Sequence, residues 1–122
     1  MSELEKAILE AAQGPPSQGD DGWTIRHFIF PATFPGFAGH FPGNPVLPGF
    51  VQIMTAALLV CAVDEACGPC RCVRNAKFMA PVLPGQRLTV AVRLQDVARV
   101  EARTALEDRV AATFSLEFYA PI

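Results

Sequence analysis

The chain has 122 residues, of which 51% are hydrophobic and 18% are charged, so it carries enough apolar material for one folded domain and is not a disordered segment. Its formal net charge is −2, and it has no basic run, which excludes a polyanion such as nucleic acid as the expected partner. The amino terminus lacks the basic and then apolar layout of a signal peptide, and the apolar run at residues 50–63 is shorter than the roughly 20 residues of a bilayer span. We therefore expect a cytoplasmic protein without a membrane span.

The first half of the chain predicts a helix, a linker, a strand and a long loop. Residues 2–12 have apolar side chains at helical spacing and predict a short amphipathic helix. Residues 14–22, GPPSQGDDG, predict a turn-rich linker, so that residues 1–21 form a peripheral helix and linker. Residues 23–30 predict the first strand. Residues 31–49 contain too many prolines and glycines for a regular element, and loops of this length in compact domains are usually functional.

The second half predicts one apolar helix followed by strands. Residues 50–65 are apolar nearly all round, which is typical of a helix buried on most faces at the centre of a fold. Segments rich in Val, Phe, Leu and Thr follow near residues 71–80, 86–98, 99–107 and 109–119, and we expect them to pair antiparallel in a meander. The fold class is α+β, with a curved antiparallel sheet around a central buried helix in residues 1–122 as a single domain.

Four cysteines lie close together, at Cys61, Cys67, Cys70 and Cys72. The stretch CGPC has the spacing of a redox dithiol, but such a dithiol gains its reactivity at the amino end of a helix, whereas this one follows a helix. The single residue between Cys70 and Cys72 places them poorly for a tetrahedral zinc site. We favour a turn with reduced thiols, and we expect no metal and no cofactor.

Two segments carry a resemblance to a known family. Residues 39–49, GHFPGNPVLPG, are similar to the signature loop of the β-hydroxyacyl-acyl carrier protein dehydratases, which have the hot-dog fold. Residues 76–90, AKFMAPVLPGQRLTV, resemble the strand, turn and strand of the same family, and the likeness extends over about residues 22–119. The resemblance implies a hot-dog domain that acts on a 3-hydroxyacyl thioester of acyl carrier protein or coenzyme A in fatty acid or polyketide-type lipid synthesis.

Dehydration of a 3-hydroxyacyl thioester needs a base for the α-proton and an acid for the departing hydroxyl. A neutral imidazole, with a pKa near 6.5, can act as the base, and we predict His40 in this role. The helix after Pro48 begins with amides that lack partners in the helix and carry the positive end of its dipole. The resemblance implies that the Gly49 amide donates to the thioester carbonyl there. His27, on the predicted first strand, is expected at the surface or in an interface.

The sequence departs from the family at the second catalytic residue. The dehydratases have Glu or Asp on the buried helix where this chain has Met54, and methionine cannot donate a proton. Thr55 is the better polar substitute, since Gln52 lies nearly opposite Met54 on a helix. Asp64 and Glu65 are almost three turns further along and are expected to face solvent.

Three interpretations therefore stay open for the activity. The chain is a dehydratase in which His40 also protonates the leaving hydroxyl, or it is a subunit whose partner hot-dog chain supplies the acid in a homodimer or heterodimer, or it is a noncatalytic acyl-thioester-binding protein. A hot-dog acyl thioesterase is a further alternative.

Two groups of side chains are predicted to bind the substrate and its carrier. The substrate contacts are Phe41, Pro48, Phe50, Met54, Thr55 and Phe78. The carrier-binding residues are Arg71, Arg74 and Lys77, whose positive charge would steer an acidic carrier protein, although the same charges also suit a solvated strand end. Phe34, Phe37 and Met79 are compatible with either an acyl tunnel or the core.

Overall fold

The computed structural model describes residues 1–37, 43–64, 68–96 and 98–119. Within these ranges the helices are α1 (Glu3–Glu10) and α2 (Gly49–Val63). The strands are β1 (Ala12–Gln18), β2 (Thr24–Ile29), β3 (Cys70–Phe78), β4 (Arg87–Leu94), β5 (Arg99–Ala105) and β6 (Val110–Phe118). Short 3₁₀ turns lie at Asp20–Gly22 and Pro35–Phe37.

The strands form one antiparallel sheet in the order β1-β2-β4-β5-β6-β3. The predicted meander holds for β4, β5 and β6 but is wrong for β3, which pairs with β6 at the far edge instead of with β4. The reason is that β2 occupies the second edge of β4, so the strand that follows α2 pairs with β6 at the opposite side of the sheet.

The predicted linker at residues 14–22 is partly wrong, because Ala12–Gln18 forms strand β1 at an edge of the sheet. Pairing with β2 is interrupted between Gln13 and Ser17, which is where Pro15 and Pro16 lie. Prolines are tolerated on an edge strand because the missing N–H donors would not have been used in the ladder. The composition of residues 14–22 therefore did not reveal strand β1.

Helix α2 lies on one face of the sheet, which we call the inner face. Its buried side is formed by Val51, Gln52, Thr55, Ala56, Leu59 and Val60. They pack against inward residues of the strands such as Leu88, Val90, Ala102 and Phe114 in one hydrophobic core. Helix α2 was expected to be buried on most faces, but only this side of it is buried. The side chains of the other side that are half-buried are Ile53, Met54, Ala57 and Leu58.

Helix α1 packs against the same core. Ser2 and Glu5 form a reciprocal capping box at its start, which satisfies two amides that have no partner in the helix. Its one fully buried side chain is Ile8, which belongs to the same core as α2. In the described part of the chain, neither helix is both long and apolar enough to cross a membrane.

Candidate active site

The two segments that carry the family resemblance meet beside the start of α2. The Leu47 amide donates a hydrogen bond to the Val82 carbonyl at 2.7 Å, and both side chains are buried in the core. The Gly85 amide donates to the Phe30 carbonyl at 2.9 Å, so the turn after β3 is tied to the end of β2 as well. These contacts fix the direction in which Pro48 leads into the helix.

The predicted base His40 and the predicted contact Phe41 lie outside the described residues, together with the rest of residues 38–42. Their roles stay predictions. The described part of the loop resumes at Gly43 and enters the helix through Pro48.

Among the residues that the structure describes, none closes the amino end of α2. Pro48 is its N-cap residue, in an extended conformation, and the Pro48 carbonyl accepts hydrogen bonds from the amides of Val51 at 3.1 Å and Gln52 at 3.4 Å. No residue in the described ranges accepts a hydrogen bond from the Gly49 or Phe50 amide. Two backbone donors and the positive end of the helix dipole are thus available to an oxygen that carries negative charge.

An aromatic ring lies against the first residue of this helix. A β-carbon at residue 49 would lie 2.7 Å from Cζ and 2.9 Å from Cε1 of Phe78, so only glycine permits the ring to approach the helix this closely. Phe78 and Phe50 are each 50% exposed. The structure therefore brings two predicted residues together, Gly49 and Phe78, and the predicted Phe50 follows Gly49 in the first turn of the helix.

The predicted polar substitute on the helix, Thr55, is fully buried, and its hydroxyl donates to the Val51 carbonyl at 2.7 Å. Its one proton is therefore used by the backbone of its own helix. Met54, one position earlier, is half-buried and packs against the core. As predicted, Asp64 is exposed at the carboxyl end of α2, about 22 Å from Gly49 for a helix of 15 residues. Glu65 lies outside the described residues.

Gln52 points away from Met54 into the core, as its helical position predicts. It is 3% exposed, and its Oε1 accepts a hydrogen bond from the hydroxyl of the fully buried Thr104 at 2.7 Å. The pair fixes α2 to β5 and satisfies two polar groups that would otherwise be costly to bury. The sequence did not predict a role for Thr104, because its partner Gln52 lies on an element that is distant along the chain.

The predicted carrier-binding residues lie on the outer face of the sheet, opposite α2. Arg71 and Arg74 converge on Glu117 with Arg99, at N–O distances of 3.9, 2.9 and 3.2 Å. The hydrogen bond from Arg74 holds the pKa of the Glu117 carboxyl below its ordinary value. Lys77 lies further along β3, opposite Thr113, and forms no ion pair with any described residue. One carboxylate thus faces three arginines, and this group keeps a net positive charge.

A second cationic group on the outer face was not predicted. The guanidinium groups of Arg93 and Arg103 lie 4.6 and 4.9 Å from the ring centre of Trp23, within the range of cation–π attraction. Glu101 neutralises Arg93 at 2.7 Å. The alternation of charged and apolar residues in β4 and β5 was the signal that could have revealed this face.

The remaining residues that the sequence singled out are His27, Phe34, Phe37 and Met79. His27 is half-buried on β2, with Nδ1 2.9 Å from the Thr89 hydroxyl, and burial lowers its pKa. Phe34 and Phe37 are buried in a chain of ring contacts with Phe30, which supports the core interpretation, whereas Met79 is exposed.

The cysteine motif follows the end of α2 and leads into β3, because Cys70 is the first residue of that strand. Burial raises the pKa of the Cys70 thiol, which reduces the thiolate that redox chemistry needs. Cys67 lies outside the described residues. Among the residues that the structure describes, no group of side chains has an arrangement suited to a metal ion.

Comparison with known proteins identifies the family. Residues 17–115 match the ApeI-like family, described as ApeI dehydratase. The chain is 38% identical over 101 residues to the 3-hydroxyacyl-(acyl-carrier-protein) dehydratase FabZ of Ehrlichia ruminantium, covering 64% of this chain and 67% of that enzyme. It is 32% identical over 96 residues to the enzyme of the same name from Lactobacillus helveticus, covering 70% and 65%.

Solved structures show the same fold. The dehydratase heterocomplex ApeI:P from Xenorhabdus doucetiae is similar with a TM-score of 0.75 and 21% identity, covering 85% of this chain and 93% of that one. A hypothetical thioesterase with coenzyme A from Streptococcus pneumoniae is similar with a TM-score of 0.64 and 11% identity, covering 98% and 96%. The expected α+β hot-dog fold is confirmed, and the chain belongs to the ApeI-like dehydratase family.

Proposed function

We propose that the chain is a subunit of a 3-hydroxyacyl thioester dehydratase, with His40 as the base and the Gly49 amide as the donor to the thioester carbonyl. In this reaction His40 removes the α-proton, and the electron pair of that C–H bond forms the double bond to the β-carbon. The C–O bond at the β-carbon breaks, and the hydroxyl leaves as water once an acid has protonated it. Negative charge that develops on the carbonyl oxygen during proton removal is stabilised by the open end of α2.

The observation that carries the proposal is the pair of amides at Gly49 and Phe50, which have no acceptor among the described residues, together with the Phe78 ring that lies against Gly49. Donors that are already oriented toward a developing oxyanion need no reorganisation during the reaction, and each is typically worth about 10²- to 10³-fold in rate. The half-exposed Phe78 and Phe50 rings provide the apolar contact that an acyl chain needs. Family membership supports the same chemistry.

Helix α2 offers no acid to protonate the leaving hydroxyl. It has no carboxylate, and the Thr55 hydroxyl donates its proton to the Val51 carbonyl of the same helix. We propose that a partner hot-dog chain supplies the acid near Met54. The similar dehydratase from Xenorhabdus doucetiae is a heterocomplex, which supports a second chain. The second candidate, a noncatalytic thioester-binding subunit, is favoured by the same half-buried Met54.

The test follows the ultraviolet absorbance of the enoyl thioester formed from a 3-hydroxyacyl N-acetylcysteamine thioester. Wild type is compared with Met54→Glu, His40→Ala and the double variant, at high protein concentration so that two copies can associate. We expect turnover to rise in Met54→Glu by about 10²- to 10⁴-fold, the usual worth of a general acid, and to vanish when His40→Ala is added.

His27→Ala in the Met54→Glu background is the matched control, because it removes the other histidine of the chain. It should leave the gained turnover unchanged. Equal turnover with and without His40 would remove it from the mechanism. A Met54→Glu variant that associates, binds the thioester and still shows no turnover would instead support the noncatalytic subunit.

A further inference from the structure

On the outer face of the sheet, one carboxylate joins cations from the two strands beside it. Glu117 on β6 lies 3.2 Å from Arg99 of β5, and it lies 3.9 and 2.9 Å from Arg71 and Arg74 of β3. Hydrogen bonds between ionised partners are stronger than those between neutral ones. At this position the chain itself supplies the anion on which the positive side chains converge.

A second row, four residues earlier on β6, has cations on both sides but no carboxylate. Thr113 is paired with Arg103 of β5 and with Lys77 of β3. Neighbouring strands lie about 4.7–4.9 Å apart, so both long side chains start within reach of the Thr113 hydroxyl. Neither Lys77 nor Arg103 forms an ion pair with a residue of the described ranges. The position that Glu117 fills in the first row is therefore vacant in the second.

A bulge in β3 places Lys77 in this row. Arg74 is paired with Ser115 and Lys77 with Thr113, so three steps along β3 match two steps along β6. Asn75 lies within the bulge and has a φ of +55°, a conformation that asparagine adopts more readily than most residues. In a regular strand, residue 76 would face Thr113, and that residue is alanine. The extra residue thus exchanges a small apolar side chain for an ammonium group.

An aromatic ring supports Arg103 without neutralising it. The Arg103 guanidinium lies 4.9 Å from the ring centre of Trp23, and that of Arg93 lies at 4.6 Å. Arg93 also donates two hydrogen bonds to Oε1 of Glu101, at 2.7 and 3.2 Å, and so balances the charge of that carboxylate. Cation–π attraction orients Arg103 but leaves its positive charge uncompensated.

These side chains line one cavity on the outer face. Its volume is about 330 Å³, at the lower end of the roughly 300–1,000 Å³ of small-molecule sites. Lys77, Arg103 and Thr113 contribute positive charge and a hydroxyl, and Asn75 and Gln95 contribute amides. The wall is thus suited to a polar ligand that carries negative charge.

We propose that this cavity binds a small molecule with a terminal phosphate group, that is, a phosphate monoester. Such a group has three terminal oxygens and nearly two negative charges at neutral pH. The Lys77 ammonium, the Arg103 guanidinium and the Thr113 hydroxyl can each donate to one oxygen, and the two cations match the charge. The amides of Asn75 and Gln95 can bind hydroxyl groups in the rest of the molecule.

The cavity lies on the opposite side of the sheet from the candidate active site. Phe78, the residue after Lys77, projects to the inner face and lies against Gly49. A phosphate monoester in the cavity would therefore not compete with an acyl thioester for the same space. Its binding needs neither His40 nor turnover, so it can be measured whether or not the proposed function is correct.

The first experiment uses the fluorescence of Trp23, the one tryptophan of the chain. Wild-type protein is titrated with glycerol 3-phosphate while NaCl keeps the ionic strength constant, and phosphorus NMR of the ligand provides a second measurement. We expect a saturable change with a dissociation constant of about 1 mM, which two charge-assisted hydrogen bonds can support. Glycerol, which lacks the phosphate, should cause no change. Absence of saturation by both measurements would overturn the proposal.

Three variants that each remove one positive charge test the location of the site. Lys77→Gln and Arg103→Gln should each raise the dissociation constant by about 10- to 100-fold, because each removes one charged donor. Arg87→Gln is the matched control, since Arg87 is an exposed cation at the start of β4 and does not line the cavity. It should leave the dissociation constant unchanged. Equal weakening by all three would indicate unspecific attraction and contradict the site.

Thr113→Glu supplies the missing carboxylate and provides an independent test. It should abolish the response to glycerol 3-phosphate and, at low salt, melt about 2–6 °C above Thr113→Gln, which has a neutral side chain of the same size. Lys77→Gln in the Thr113→Glu background should reduce this difference. Equal melting temperatures for the two variants of Thr113 would show that the cations do not converge there.

Vesicles that contain phosphatidic acid carry the same phosphate monoester on a lipid. Because the half-buried Thr113 hydroxyl belongs to the site, we expect the soluble ester to bind and the protein to remain in solution when the vesicles are sedimented. Sedimentation with the vesicles that Lys77→Gln abolishes, without any response to glycerol 3-phosphate, would assign the cations to a membrane surface and contradict the proposal.

Discussion

The close contact between Gly49 and Phe78 makes a prediction that can be calculated from the structure. Carbon atoms in contact ordinarily lie about 3.5–4.0 Å apart, whereas a β-carbon at residue 49 would lie 2.7 Å from the Phe78 ring. Gly49→Ala therefore requires the ring to move by about 1 Å. Overpacking of this kind costs about 1–3 kcal/mol, and because Phe78 is half exposed we expect the lower end, about 1 kcal/mol.

The assay is a double-mutant cycle on the free energy of unfolding, measured by urea denaturation with Gly49→Ala, Phe78→Ala and both together. Once the ring is absent, Gly49→Ala should be neutral or stabilising, since alanine restricts the unfolded chain more than glycine does. The expected coupling energy is thus about 1–2 kcal/mol. Gly85→Ala is the control, because Gly85 has a φ of +82° with no atom near its missing β-carbon, so its cost should be the same with or without Phe78. The same cost for Gly49→Ala in both backgrounds would refute the reasoning.

Three further predictions concern the groups around the site. Thr104→Val or Gln52→Leu alone should lower the free energy of unfolding by about 1–3 kcal/mol, because each leaves a buried partner without a hydrogen bond. In the same urea assay, the double variant should recover part of the lost free energy of unfolding. The hydrogen bond from Arg74 lowers the pKa of Glu117 below its ordinary value of 4.5. The stability that this carboxylate contributes is therefore complete above pH 4.5 and is lost as pH falls through the lowered pKa. Between about pH 5 and pH 3 the melting temperature should fall less in Glu117→Gln than in wild type. The pKa of His27 is lowered by burial from 6.5, so its NMR titration should have a midpoint below 6.5, and an unchanged midpoint would contradict the burial.

The sequence predicted the helix and most strands because their apolar patterns are strong. It also located the open end of α2, since Pro48 and Gly49 lie in a segment whose likeness to a family loop covers residues 39–49. The strand β1 was missed because Pro15 and Pro16 are usual in turns, and only the edge position explains them.

Other features depend on contacts between distant elements, which local patterns do not encode. The position of β3 beside β6 follows from β2 taking the free edge of β4. Glu117 was missed because its three arginines come from two strands separated along the chain. Thr55 was predicted from the helical angle alone, which does not reveal that its hydroxyl bonds to the Val51 carbonyl.

Exchange of the α-proton tests the central claim most directly, because it needs the base and the carbonyl donor but no acid. A saturated acyl N-acetylcysteamine thioester is incubated with wild-type protein in D₂O, and loss of the α-proton signal is followed by NMR. The account predicts exchange above the buffer rate in wild type and in His27→Ala, and none above it in His40→Ala. Exchange at the buffer rate in wild type, or at the same enhanced rate without His40, would contradict it.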